Sequence, residues 1–113
     1  MNSTVPPLDA PSATARRALA RADLRSADVT HVVYVTSTGI ATPSLDARLT
    51  ARLGLRNDVR RWPLFGLGCA GGAGALVRAH DLLLAQPRSR VLVVSLEICS
   101  LVFSRHALTP TDL

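Results

Sequence analysis

Hydrophobic and polar positions along the chain switch between two periods, and the switches mark out the expected elements. From Ala13 to about Leu24 the good helix formers Ala, Arg and Leu dominate, with Ala15, Leu19 and Ala22 at helical spacing, so an amphipathic helix is predicted. His31 to Thr36 (HVVYVT) is β-branched and almost continuously apolar, the pattern of a strand buried on both faces. A polar turn follows through Ser37, Thr38 and Gly39. Leu45, Leu49 and Leu53 then recur on one side of a second helix; Thr42 is placed to cap it, Pro43 suits its first position, and Gly54 ends it. Val59 to Phe65 reads as a second strand, which Pro63 confines to an edge or an irregular pairing. Gly66-Leu67-Gly68 breaks that strand. From Cys69 to about Ala85 the positions Ala73, Leu76, Val77, Leu83 and Leu84 mark a third helix, expected to pack on the sheet through these residues until Pro87 stops it. Val91 to Phe103 is the third strand; with Glu97 in it, it is too short and too polar to span a bilayer. The order α, β, α, β, α, β is that of a layered α/β fold with a mostly parallel sheet. Residues 1–12 hold three of the seven prolines and are expected to form an extended lead-in.

Composition narrows the reading. A length of 113 residues fits one core. Hydrophobic residues at 48% and charged ones at 19% exclude a disordered or collagen-like chain. The net charge is +5 and all thirteen basic residues are Arg. They are scattered, with only Arg16-Arg17 and Arg60-Arg61 adjacent, and aromatics are 4%, so a nucleic-acid partner is not expected. Arginine equally suits a phosphate-bearing small ligand. Cys69 and Cys99 lie far apart with no Cys-x-x-Cys, so no metal site is expected. No basic-then-apolar leader opens the chain, which makes the cytoplasm the expected compartment and a membrane association unexpected.

The most informative stretch is Leu64-Phe65-Gly66-Leu67-Gly68-Cys69-Ala70-Gly71-Gly72-Ala73-Gly74, which puts a thiol where a strand ends and a helix begins. Unsatisfied backbone N–H groups and the helix macrodipole favour thiolate over thiol at such a point. Gly68, Gly71 and Gly72 remove side-chain bulk, so a substrate or a neighbouring backbone can approach the sulfur closely. Each glycine inside a helix costs about 1 kcal/mol against Ala, which points to a steric need. The same residues also fit a small buried cysteine in a tight strand-to-helix crossing. Gly66 to Gly71 is literally G-x-G-x-x-G, with Glu97 near where a ribose-binding acid would belong. A dinucleotide unit normally opens its domain, however, and here a helix, a strand and another helix come first.

Taken together, Val35-Thr36-Ser37-Thr38-Gly39, Leu53-Gly54-Leu55-Arg56, Gly68-Cys69-Ala70-Gly71-Gly72, Val91-Leu92-Val93-Val94 and Glu97-Ile98-Cys99 resemble the type III polyketide synthases, the chalcone and stilbene synthase-like family, in order and in gaps. The resemblance runs from about residue 13 to Phe103 and implies a partial thiolase-like layered α/β fold over residues 13–113, from the nucleophile-bearing part of the N-terminal half. It implies that Cys69 is the catalytic nucleophile, taking an acyl group from a coenzyme A thioester before malonyl-CoA units are decarboxylated and condensed onto it. A thiolate both attacks a thioester and leaves as one. By the same resemblance Thr38, Thr42, Cys99 and Val102 fall at cavity-lining positions. Cys99 stands where plant members often carry Thr, and Thr42 where they carry a Met that reaches into a partner subunit, so a homodimer is implied. Glu97 either orients groups near the cavity or is a strand acid satisfied by backbone N–H groups. No cofactor is implied beyond the acyl-CoA and malonyl-CoA substrates. The family's His and Asn lie in the second half of a complete enzyme, so this chain alone is expected to be inactive. His31, His80 and His106 do not replace that His; His80, for instance, stands about 16 Å of helical rise from Cys69. A β-ketoacyl-carrier-protein synthase III-like enzyme, a non-catalytic remnant and a dinucleotide-binding module are the competing readings.

Overall fold

The computed structural model describes residues 8–38 and 44–99. Within them the chain forms α1 (Asp9–Arg21), β1 (His31–Thr36), α2 (Leu45–Leu53), β2 (Arg60–Phe65), α3 (Gly71–Ala85) and β3 (Val91–Ser95), with short 3-10 turns at Ser26–Asp28 and Gly68–Ala70. The strands lie in the order β2-β1-β3, both pairings parallel, with His31 opposite Arg60 and Val91 and Thr36 opposite Phe65. All six residues of β1 are buried, as its continuous apolar run requires of the central strand. Among the described residues β2 is an edge strand, the position that Pro63 demands.

Alternation along β1 feeds two cores. Val32 and Tyr34 pack with Ala15 and Leu19 of α1 and with Leu45, Leu49 and Leu53 of α2. Val33 and Val35 pack with Ala75 of α3 on the other face. The result is a helix, sheet, helix sandwich of the predicted α/β class. Gly54 ends α2 in the left-handed conformation, with φ 66°.

Three boundaries and the packing face of one helix differ from expectation. α1 starts at Asp9, so the lead-in expected over residues 1–12 gives up its last four residues to the helix. Asp9 sits in the first turn, Arg21 in the last, and Arg52 of α2 pairs with Asp9; Pro11 is tolerated because the first turn needs no intrahelical N–H there. α2 begins at Leu45 with Ser44 in the capping position, whereas Thr42 and Pro43, expected to open it, lie outside the described residues. Leu45 and Asp46 are the first residues of that helix to be buried, and Asp46 is fixed by Arg61 of β2 at 3.1 Å. β3 ends at Ser95, because β1 ends at Thr36 and offers no further backbone ladder after Leu96 N–H bonds to the Val35 carbonyl at 3.0 Å; residues 100–103 of the expected strand lie outside the described residues.

The fourth difference concerns the face of α3. The expected packing residues Ala73, Leu76, Val77, Leu83 and Leu84 are all exposed; Leu76 is 65% exposed and Leu84 69%. Gly71, Ala75 and Ala79 face the sheet instead. Spacing alone admits either stripe. Close approach decides, since a Cβ added at Gly71 would already stand 2.9 Å from a methyl of Val35.

Candidate active site at the C-terminal edge of the sheet

After Phe65 the chain passes through Gly66 and Leu67 into the 3-10 turn, where Cys69 stands exposed as a free thiol. The α-helix starts two residues later, at Gly71, so Cys69 precedes α3 instead of opening it. The predicted close-approach glycines divide into three cases. Gly68 has φ 56° and open space around an added Cβ, so its role is the left-handed backbone that turns the chain into Cys69. Gly71 is a true close approach, of helix to central strand. Gly72 meets nothing within 4 Å.

On the other side of β1 a polar cluster joins its end to the end of β3. One oxygen of Glu97 accepts from the Ser37 N–H and the Ser37 hydroxyl, each at 2.9 Å, and the other accepts from the Thr38 hydroxyl at 2.8 Å. Thr38 Oγ1 in turn accepts from the Ile98 N–H at 2.7 Å. Desolvation works against the charge on Glu97, but the donors from Thr38 and Ser37 outweigh it and hold the carboxyl below its ordinary range. One backbone N–H and two hydroxyls satisfy it, so the expected backbone N–H partners supply one of its three donors, and Glu97 lies two residues past the end of β3 and not within it. Ser37 was missed in the sequence, where it belonged only to a polar turn; the available signal was a hydroxyl immediately after a fully buried strand.

Thr38, Glu97 and Cys99 thus gather at the ends of β1 and β3, with Cys69 past the end of β2 on the opposite flank of β1. Two strand spacings separate those flanks, about 10 Å. Thr42 and Val102 lie outside the described residues. His31 is at the far end of β1, where its Nδ1 meets Thr30 Oγ1 at 2.9 Å, and His80 is exposed on α3; His106 lies outside the described residues. Functional groups at the carboxyl ends of parallel strands follow the general rule for α/β sheets. The dinucleotide reading loses its ribose acid, because Glu97 is committed to Ser37 and Thr38.

Residues 1–112 match the family profile described as chalcone and stilbene synthases, N-terminal domain. The chain belongs to the chalcone and stilbene synthase family. Among its relatives, a 1,3,6,8-tetrahydroxynaphthalene synthase of Streptomyces peucetius subsp. caesius is 51% identical over 88 residues, 78% of this chain and 23% of that protein. A putative chalcone synthase of Bacillus subtilis is 46% identical over 82 residues, 73% of this chain and 22% of the relative. The solved 1,3,6,8-tetrahydroxynaphthalene synthase of Streptomyces coelicolor A3(2), a bacterial type III polyketide synthase, superposes with a TM-score of 0.81 at 38% identity, over 89% of this chain and 29% of that one. The chain therefore spans about a quarter of the length of its synthase relatives. Its fold is part of the thiolase-like architecture of type III polyketide synthases, and the competing readings are not favoured. No helix among the described residues is long and apolar enough to cross a membrane.

Proposed function

We propose that this chain is the nucleophile-bearing portion of a type III polyketide synthase, with Cys69 as acyl acceptor. The carrying observation is the exposed thiol on a glycine-shaped turn at the C-terminal edge of the sheet, across β1 from Glu97 and its Ser37 and Thr38 donors. In the first step Sγ attacks the thioester carbonyl of an acyl-CoA; the bond to coenzyme A breaks and its sulfur leaves with the proton, giving an acyl-Cys69 thioester. Thr38, Glu97 and Cys99, with Thr42 and Val102, line the space in which malonyl-CoA units are decarboxylated and added in the complete enzyme. A second copy of the chain completes a homodimer, and no cofactor takes part. The His and Asn of the family lie beyond the matched stretch, and loss of a general base or an oxyanion donor costs on the order of a hundredfold or more in rate. The chain alone therefore does not make polyketide.

Intact-mass spectrometry after incubation with a medium-chain acyl-CoA tests the assignment. The expected result is slow addition of one acyl group, retained in Cys99→Ser and absent in Cys69→Ser, with no turnover of malonyl-CoA. Acylation that persists in Cys69→Ser removes that residue from the role. Malonyl-CoA turnover that disappears in Cys69→Ala overturns the expected inactivity of the chain alone.

A further inference from the structure

The sheet has a second polar end, where the strands begin. There a cleft of about 560 Å³ is walled by Arg56, Arg60, Arg88, His31, Asp58 and Ser89, among others. It lies a strand length from the Cys69 edge, roughly 17–20 Å. Three guanidiniums meet a single carboxylate in this wall, and that carboxylate is already engaged: Asp58 accepts from Arg56 Nε at 2.8 Å and Nη2 at 2.7 Å. The hydrogen bonds from Arg56 hold Asp58 below its ordinary range.

Arg60 and Arg88 are exposed, and neither side chain makes a hydrogen bond or salt bridge among the described residues. The carboxyl end of α3 reaches the same cleft through Gln86. It contributes about half a negative charge, so even with Asp58, which also attracts Arg60, the three guanidiniums leave the wall with a positive excess. His31 is only 2% exposed, and its Nε2 is buried without a hydrogen-bond partner among the described residues. Burial and the neighbouring Arg60 push its pKa down, which keeps the ring neutral near pH 7. The Thr30 hydroxyl donates to the Arg90 carbonyl, so Nδ1 is the ring's donor and Nε2 an acceptor, suited to a water and not to an anionic oxygen; contacts to an anion fall to the guanidiniums.

We propose that this cleft binds the phosphate or diphosphate group of a small ligand, with Arg60 and Arg88 as the guanidinium forks that grip its oxygens. Paired arginines suit that geometry because each offers several N–H donors in one plane and stays charged. The site uses none of the residues assigned to acyl transfer.

Calorimetric titration of the full chain with pyrophosphate, inorganic phosphate, ADP and adenosine tests it, with the fold of each variant checked by far-UV circular dichroism. Pyrophosphate is expected to bind saturably at one site, and adenosine not at all. Arg60→Gln and Arg88→Gln should each weaken binding about tenfold, the loss of one charge-assisted contact. Neither side chain makes a hydrogen bond or salt bridge among the described residues, so both variants are expected to keep the fold. Arg17→Gln, on exposed α1, should leave the affinity unchanged. ADP binding tighter than pyrophosphate assigns the group to a nucleotide, and equal affinity assigns recognition to the phosphates alone. Absence of saturable binding, or an equal loss in Arg17→Gln, overturns the proposal. So does a cleft that takes a glutamate-rich peptide and refuses pyrophosphate.

Discussion

The glycines beside Cys69 resemble one another in sequence and differ in what holds them. A Cβ at Gly71 would press on the Cγ2 methyl of Val35 at 2.9 Å, a stiff β-branched side chain of the central strand. Overpacking of that kind costs about 1–3 kcal/mol. Gly72 sits on the same helix with nothing within 4 Å, so Ala there should gain up to about 1 kcal/mol from helix propensity. Urea unfolding of Gly71→Ala and Gly72→Ala should move the midpoint in opposite directions. A Gly71→Ala chain as stable as its parent would show that the helix does not press on β1. The thiol and its glycine setting were plain from the sequence. The division of labour among the glycines was not, because a missing side chain carries no record of which neighbour excludes it.

Between elements, β1 and β3 are tied at their ends by side chains where the backbone ladder gives out. Glu97 takes three donors from Ser37 and Thr38, and its carboxyl is held below the ordinary value of 4.5. A depressed carboxylate contributes stability above its unfolded pKa, and the contribution is lost as pH falls through the folded value. This clamp should therefore hold at neutral pH and release in acid, below about pH 4.5. Ser37→Ala removes one hydroxyl donor and should shift the Glu97 midpoint upward. Glu97 is the only glutamate of the chain, so its side-chain carboxyl carbon gives an unambiguous NMR titration. An unmoved midpoint would mean that the hydroxyl does not support the charge. The third strand was legible in the apolar run from Val91, but its end was not, because strand length depends on where the partner strand stops.

At the scale of the molecule, the outer face of α3 is the unusual surface. Leu76, Val77 and Leu84 are 65%, 62% and 69% exposed, and Phe65 and Leu67 add to them at the end of β2. Leu76 with Leu83, and Val77 with Leu84, repeat at a seven-residue spacing, so they form one stripe along the helix. Contiguous apolar patches beyond a few hundred Å² are rare on monomeric soluble proteins. The chain alone should self-associate and bind a hydrophobic dye, and Leu76→Gln with Leu84→Gln should reduce both effects. Light scattering after size-exclusion chromatography reads the outcome. A monodisperse monomer with no dye binding would contradict the exposure of this stripe.

The sequence by itself determined the order of the elements, the central place of HVVYVT, the left-handed stop at Gly54 and the position of the thiol. Each of these is set by local rules: β-branched apolar runs, the glycine backbone, and turn residues at fixed offsets. Only the tertiary structure decided that α3 lays its small residues on the sheet, that Ser37 and Thr38 hold Glu97, and that three scattered arginines share one cleft. Those outcomes depend on distances between segments far apart in the chain. Close packing selected the narrow face of α3 over the hydrophobic one, a choice that periodicity alone leaves open.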